Sequence, residues 1–219
     1  RGLAINMSLT FAFLGVMVLS VSAKNLGLLW VCIEGTTLVS ALLIGSENTR
    51  ASLEAAWKYV ILCTVGLTSS LFGLILLVNA SSQAGIPGTL DPDTLIAAAG
   101  KMPPPLLKLS FLLMLVGYAT KAGFAPLHSW LPDAHSQAPA PTSALLSGVL
   151  LNCSLYAIIR TGGIMEAAGL GLFVRTCYLG FGLVSVILAT LFLLVQHDLK
   201  RLLAYSSIEH IGLITLGLG

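Results

Sequence analysis

Leu112–Pro141 reads LLMLVGYATKAGFAPLHSWLPDAHSQAPAP, and the fold turns on how this stretch is built. A leucine-rich helical run begins near Leu106 and heads toward Ala125, after which Pro126, Pro132, Pro139 and Pro141 fall within sixteen residues. Proline lacks a backbone N–H and its ring clashes with the preceding turn, so the run predicts a broken helix or a re-entrant segment. Unsatisfied peptide groups are expensive in hydrocarbon, and such a break persists only against protein or a wet cavity.

Outward from this stretch the chain is apolar in both directions. Of 219 residues, 56% are hydrophobic and 9% charged, with a mean hydropathy of +0.94, which places the chain among integral membrane proteins. A spanning helix needs roughly 20 apolar residues, so the length accommodates about seven spans and no separate soluble domain. Spans are predicted at 3–23 and 26–45, turning at Lys24-Asn25, and at 54–80 after the polar connection SENTRASL. Residues 81–105 are rich in glycine and proline and read as a loop with a short helix at 93–99. The fourth span is the broken one. A fifth starts near Pro141 and ends before Arg160, Thr161-Gly162-Gly163 turns the chain, a sixth covers 172–196 and a seventh begins near Leu202. The expectation is an all-α, polytopic membrane helix bundle forming a single transmembrane domain over 1–219.

The chain starts at Arg1 rather than Met and closes within an apolar run, which reads as a piece of a longer protein; no signal-peptide pattern is present. A net charge of +2 supplies no field for nucleic acid. Alternating spans put Arg1, Arg50, Lys58, Lys200 and Arg201 on one side and Lys24, Lys101, Lys108, Arg160 and Arg175 on the other, a balance that sets no orientation. Cys32, Cys63, Cys153 and Cys177 sit singly in apolar runs and read as packing residues, not as ligands of a metal or cluster. With no dinucleotide fingerprint either, no cofactor is expected in this chain.

Charges inside spans carry the functional argument. Glu34 lies deep in the second span beside Gly35, Thr36, Thr37 and Ser40, and Lys121 lies deep in the fourth, just ahead of the prolines. Ionisable side chains at that depth face the bundle interior or a water path, and a buried acid and base at similar depth have coupled titrations. For Glu34 a structural hydrogen bond is the competing reading, and for Lys121 a snorkelling stem. Lys58 follows Glu54 by four residues, which fits either a surface pair or a charge supporting the relay. His128 and His135 flank Trp130, Pro132 and Asp133 and either carry protons or close the break by hydrogen bonding. Ser143, Ser147, Asn152 and Ser154 make the fifth span polar enough to hold water, and Glu209 with His210 forms a polar mouth to the last helix.

Lys121–Arg160 (KAGFAPLHSWLPDAHSQAPAPTSALLSGVLLNCSLYAIIR) and Asp198–Gly212 (DLKRLLAYSSIEHIG) resemble the antiporter-like membrane subunits shared by respiratory complex I, cation/proton antiporters and membrane-bound hydrogenases. NCSLYAIIR and SSIEHIG are most similar to the F-type subunit of hydrogenase-4 and formate hydrogenlyase-like complexes. The resemblance implies a fold of about fourteen helices with two inverted five-helix repeats, of which this chain would hold the first (about 1–160) and the start of the second (about 161–219). It implies that Glu34 and Lys121 are the pair that moves protons, and it places Asn152 where relatives carry a lysine or histidine. It further implies a prokaryotic cytoplasmic-membrane location, neighbouring membrane subunits and lipid as partners, and a peripheral hydrogenase or electron-transfer arm that does the redox chemistry, this chain holding no redox centre. Two alternatives stand: a cation/proton antiporter or inorganic-carbon uptake subunit on the same fold, and a scaffold that no longer conducts, for which Asn152 is the argument.

Overall fold

The computed structural model describes residues 2–219; Arg1, counted above among the charges, lies outside them. Its helices are α1 (Gly2–Ser22), α2 (Leu26–Ile44), α3 (Arg50–Gln83), α4 (Pro92–Ala98), α5 (Pro104–Ala122), α6 (Trp130–Gln137), α7 (Ala140–Leu145), α8 (Leu151–Ala167), α9 (Gly171–Leu193) and α10 (Leu199–Leu218). A π turn at Leu146–Leu150 joins α7 to α8, so that residues 140–167 form one rod. Among the described residues six helices are long and apolar enough to cross a membrane: α1, α2, α3, α5, the α7–α8 rod and α9. The chain is an all-α polytopic membrane bundle with a broken helix. Where the seventh span was expected lies α10, which carries Lys200, Arg201 and Glu209.

Local chemistry sets most boundaries. The Asn25 side chain accepts from the backbone N–H groups of Gly27 and Leu28 and starts α2 directly after the Lys24-Asn25 turn. Thr49 and Ser52 form a reciprocal capping box, which lets α3 start four residues before the expected span. Pro104 sits in the first turn of α5, where its missing N–H is harmless, and Gly123 ends that helix at φ +80°. One boundary corrects the sequence reading. Thr161-Gly162-Gly163 does not turn the chain; α8 continues to Ala167, and Gly169 at φ +77° follows it. Thr161 bonds back to the carbonyls of Ala157 and Ile158, and Gly162 leaves room for the Tyr178 hydroxyl, which a Cβ there would meet at 2.1 Å. These two residues serve packing inside a helix.

The break is closed by protein. Phe124 N–H donates to Ala119 O at 2.9 Å, Ala125 N–H to Ser185 Oγ of α9 at 3.0 Å, and the Trp130 indole to Thr120 O at 2.8 Å. At the far end of α6, Lys200 Nζ donates to Ala138 O at 3.0 Å. Peptide groups freed by the prolines are thus satisfied within the bundle, as hydrocarbon requires. The cysteines are free, three of them buried. Outside the spans, Lys24 pairs with Asp93 at 3.1 Å and Asp91 at 3.4 Å, and these contacts, Asp93 first, hold its ammonium above the usual lysine range.

The tightest packing is between α3 and α5. A Cβ on Gly117 would lie 2.6 Å from Ser70 Cβ and 2.7 Å from Gly66 O, and one on Gly73 would lie 2.7 Å from Ser110 O. Small residues let the two backbones touch where lipid supplies no hydrophobic drive. We predict that Gly117→Ala or Gly73→Ala costs about 1–3 kcal/mol by overpacking, measured by unfolding in detergent. Gly180→Ala, which meets nothing within 4 Å, should be neutral or slightly stabilising.

Candidate functional site

Three helices meet at the centre of the bundle. On α2, Glu34, Thr37 and Ser40 recur at intervals of three and share a face. Across from them α3 presents Tyr59, Cys63 and Thr64, and α5 carries Lys121 in its last turn.

Lys121 is 0% exposed. Its ammonium donates to Thr37 Oγ1 at 2.8 Å and to the Tyr59 hydroxyl, and lies 4.5 Å from the centroid of the Tyr59 ring. Ser40 Oγ lies 2.7 Å from the same hydroxyl and 2.5 Å from Thr36 O. A carbonyl only accepts, which orients the row: Ser40 donates to Thr36, Tyr59 to Ser40 and Lys121 to Tyr59. Each neutral oxygen is thereby aligned to receive the cation.

Glu34 is half-buried and accepts from Thr64 Oγ1 at 2.8 Å through Oε1; its other oxygen is buried without a partner. Among the described residues, Lys121 has no carboxylate within 4.0 Å. The acid and the base are therefore not a direct ion pair; Thr37, which holds Lys121, lies one helix turn along α2 from Glu34, which is held by Thr64.

The remaining candidates fall elsewhere. Lys58 is half-exposed and pairs with Glu54 at 2.7 Å, as the four-residue spacing anticipates, and with Asp133 at 3.3 Å. His128 lies in the irregular segment after α5, its ring about 6 Å from those of Phe192 and Tyr205 and its Nδ1 buried without a partner. His135 is 3% exposed; Nδ1 contacts Ser143 Oγ at 2.7 Å, while Nε2 is buried and unpartnered. It lines a cavity of about 400 Å³ whose walls also include Ser143, Ser147, Lys200, Ser206 and His210. His210 Nδ1 lies 2.6 Å from Ser206 O, so this nitrogen carries the hydrogen.

The structure thus brings Glu34 to Lys121, and His135 to His210. It separates Glu209 from His210: Glu209 accepts from Thr190 Oγ1 of α9 at 3.1 Å. Asn152 is exposed on the outer face of α8, its amide donating to Gly148 O one turn back at 2.8 Å. The sequence reading missed Tyr59 and Thr64. A signal for the first was present, because a phenol in an apolar span needs a hydrogen-bond partner, and Tyr59 and Cys63 share a face at i, i+4.

The profile of the NADH:quinone oxidoreductase/Mrp antiporter transmembrane family matches residues 23–219. A hydrogenase-4 component F homolog of Methylacidiphilum infernorum (isolate V4) is 42% identical over 210 residues, which are 95% of this chain and 44% of that protein. In the structure of the membrane-bound sulfane sulfur reductase, an archaeal respiratory membrane complex, one chain superposes with a TM-score of 0.88 at 28% identity, over 96% of this chain and 42% of that one. A chain of respiratory complex I from Thermus thermophilus with bound aureothin superposes with a TM-score of 0.79 at 30% identity, over 96% and 44%. The chain spans less than half the length of these relatives.

Removing the phenol oxygen leaves Lys121 with Thr37 as its one remaining hydrogen-bond acceptor. Tyr59→Phe should therefore cost about 1.5–3 kcal/mol, the range for a hydrogen bond to a charged group. Glu54→Gln, at a surface pair, should stay within about 0.5 kcal/mol. Equilibrium unfolding of the purified protein in detergent measures both.

Proposed function

The chain belongs to the NADH:quinone oxidoreductase/Mrp antiporter family, and on that premise we propose that it is a proton-translocating membrane subunit of a multisubunit redox complex of the hydrogenase-4 type. The observation that carries this reading is Lys121: a fully buried ammonium held by two neutral hydroxyls, with a carboxylate one helix turn from one of them. Neutral oxygens solvate the cation without cancelling it, so the charge state of Glu34 biases that of Lys121. A proton that arrives at Glu34 or leaves it changes the field at Lys121, and the two groups exchange occupancy as a coupled pair. The unpartnered Glu34 oxygen is where a water or incoming proton is received.

The cavity between α6, α7 and α10 is the solvent-connected end of this route. His135 and His210 face it, and serine hydroxyls line it. Histidine exchanges protons near neutral pH, and hydroxyls hold the water that connects such groups. Electron transfer belongs to partner subunits, a hydrogenase or electron-transfer arm whose turnover alters charge or hydration near Glu34.

A non-conducting scaffold is favoured by one observation, the outward-facing amide of Asn152, which offers no titratable step beyond Lys121 on α8. The two readings part on substitution of the acid. In the full-length protein within its complex, Glu34→Gln should abolish proton translocation coupled to electron transfer while electron transfer itself continues. Sealed membrane vesicles with a pH-sensitive dye report the first and the redox rate the second. Unchanged translocation removes Glu34 from the mechanism.

A further inference from the structure

Charged side chains from three helices meet at Asp133 on α6, away from the Glu34–Lys121 cluster. Glu54 lies 2.7 Å from Lys58, Lys58 lies 3.3 Å from Asp133 Oδ2, and Asp133 Oδ1 lies 2.8 Å from Arg201. Lys200 adds bonds to Ala138 O at 3.0 Å and Ser136 O at 3.4 Å. Two cations in the first turn of α10 oppose the field of their own helix, whose N-terminus is already positive. What they serve is α6, whose C-terminal carbonyls and Asp133 present the complementary charge. The α6 segment is therefore fastened to α10 twice, and to α3 through the Lys58–Asp133 contact. Lys58 also holds Glu54, so it keeps a partner if the Asp133 contact is lost, as Asp133 keeps Arg201.

Behind this bridge lies the buried lysine. Trp130, three residues before Asp133 on α6, is 0% exposed, and its ring centroid is 4.8 Å from that of Tyr59, the residue after Lys58 on α3. Its indole donates to Thr120 O, the carbonyl preceding Lys121. One contact between α3 and α6 thus has the ion bridge at its outer end and the Tyr59–Lys121 bond at its inner end.

We infer that Asp133 is a positioning residue for proton transfer: its bridge to Lys58 seats α6 on α3, presses Trp130 against Tyr59, and so sets the phenol oxygen that holds the Lys121 ammonium. This rests on the reading that Lys121 carries the transported proton. When the bridge opens toward α3 while Arg201 still holds α6, the phenol shifts and the proton affinity of Lys121 shifts with it. The titratable groups facing Lys121 are Glu34 on α2, Tyr59 and Cys63 on α3 and Cys153 on α8. None of these is on α6, so the influence of Asp133 reaches Lys121 through packing.

The test uses the full-length protein in its assembled complex in sealed vesicles, recording protons moved per electron against pH. Asp133→Asn and Lys58→Gln should each lower translocation by up to about a hundredfold, the scale of a misplaced reacting group, and displace the pH profile in the same direction. Asp133→Glu, which keeps the charge, should restore the wild-type profile. Tyr59→Phe should produce the same displacement, and adding Asp133→Asn to it should change nothing further. Lys58→Gln leaves Asp133 bound to Arg201 and α6 tethered, so it gives a reading even if Asp133→Asn fails to assemble. A wild-type profile in Lys58→Gln, or effects of Asp133→Asn and Tyr59→Phe that multiply, would overturn the inference. If Glu34→Gln and Tyr59→Phe both leave transport intact, the proton-carrying reading fails and this inference with it. If those two impair transport and Lys58→Gln does not, the bridge alone is refuted.

Discussion

A lysine ammonium enclosed by protein within a bundle of membrane helices is the constraint around which this structure is arranged. Taking such a charge out of water is costly unless polar atoms replace its hydration. Here the replacement comes from two other helices, a threonine hydroxyl of α2 and a tyrosine hydroxyl of α3, the latter oriented by Ser40. Full neutralisation by a carboxylate would satisfy the charge more completely and also immobilise it. Neutral oxygens hold the ammonium without cancelling its charge, which is the property the proposed proton site needs.

The broken helix follows from the same constraint. Lys121 lies at the C-terminal end of α5, one residue before the last helical position, and Gly123 ends the helix immediately after it. Ending the helix there frees peptide groups inside the bundle, and neighbouring elements close them: Ser185 from α9 and the Trp130 indole from α6, with Lys200 from α10 at the far end of α6. The break thereby becomes a joint to which several helices are attached. Lys200 and Arg201 bond α10 to α6 directly, and Trp130 of α6 packs against the Tyr59 ring.

Close backbone contact between α3 and α5 gives this joint a rigid base. Gly66, Gly73 and Gly117 bring the two helices into contact along the stretch that ends at Lys121, so the lysine and its Tyr59 partner are held on elements that do not slide against one another. The π turn in the α7–α8 rod falls beside the His135 cavity, with Ser147 from that turn in the cavity wall. Irregular backbone is thus found beside the polar cavity, while α1, α2 and α9 are regular helix throughout.

The residues alone determined the class of structure. Long apolar runs punctuated by Lys24-Asn25 and by SENTRASL have one physical outcome, membrane helices, because only a helix satisfies its own peptide groups in lipid. The proline cluster after Lys121 dictated the break for the same local reason, and the depth of Glu34 and Lys121 in their runs marked them as interior. What the sequence could not carry was which side chains face one another. Tyr59 and Thr37 lie far apart along the chain, and Glu209 and His210 are adjacent in it, yet the first two share a lysine and the second two look onto different helices. Thr161-Gly162-Gly163 has the composition of a turn, yet the Tyr178 hydroxyl packs beside Gly162 within a continuous helix, and Asn152 lies on an exposed face of α8. Local backbone chemistry acts within a few residues and is written in order along the chain; the rotation of each helix about its axis is decided by packing against its neighbours, and only the tertiary structure contains that.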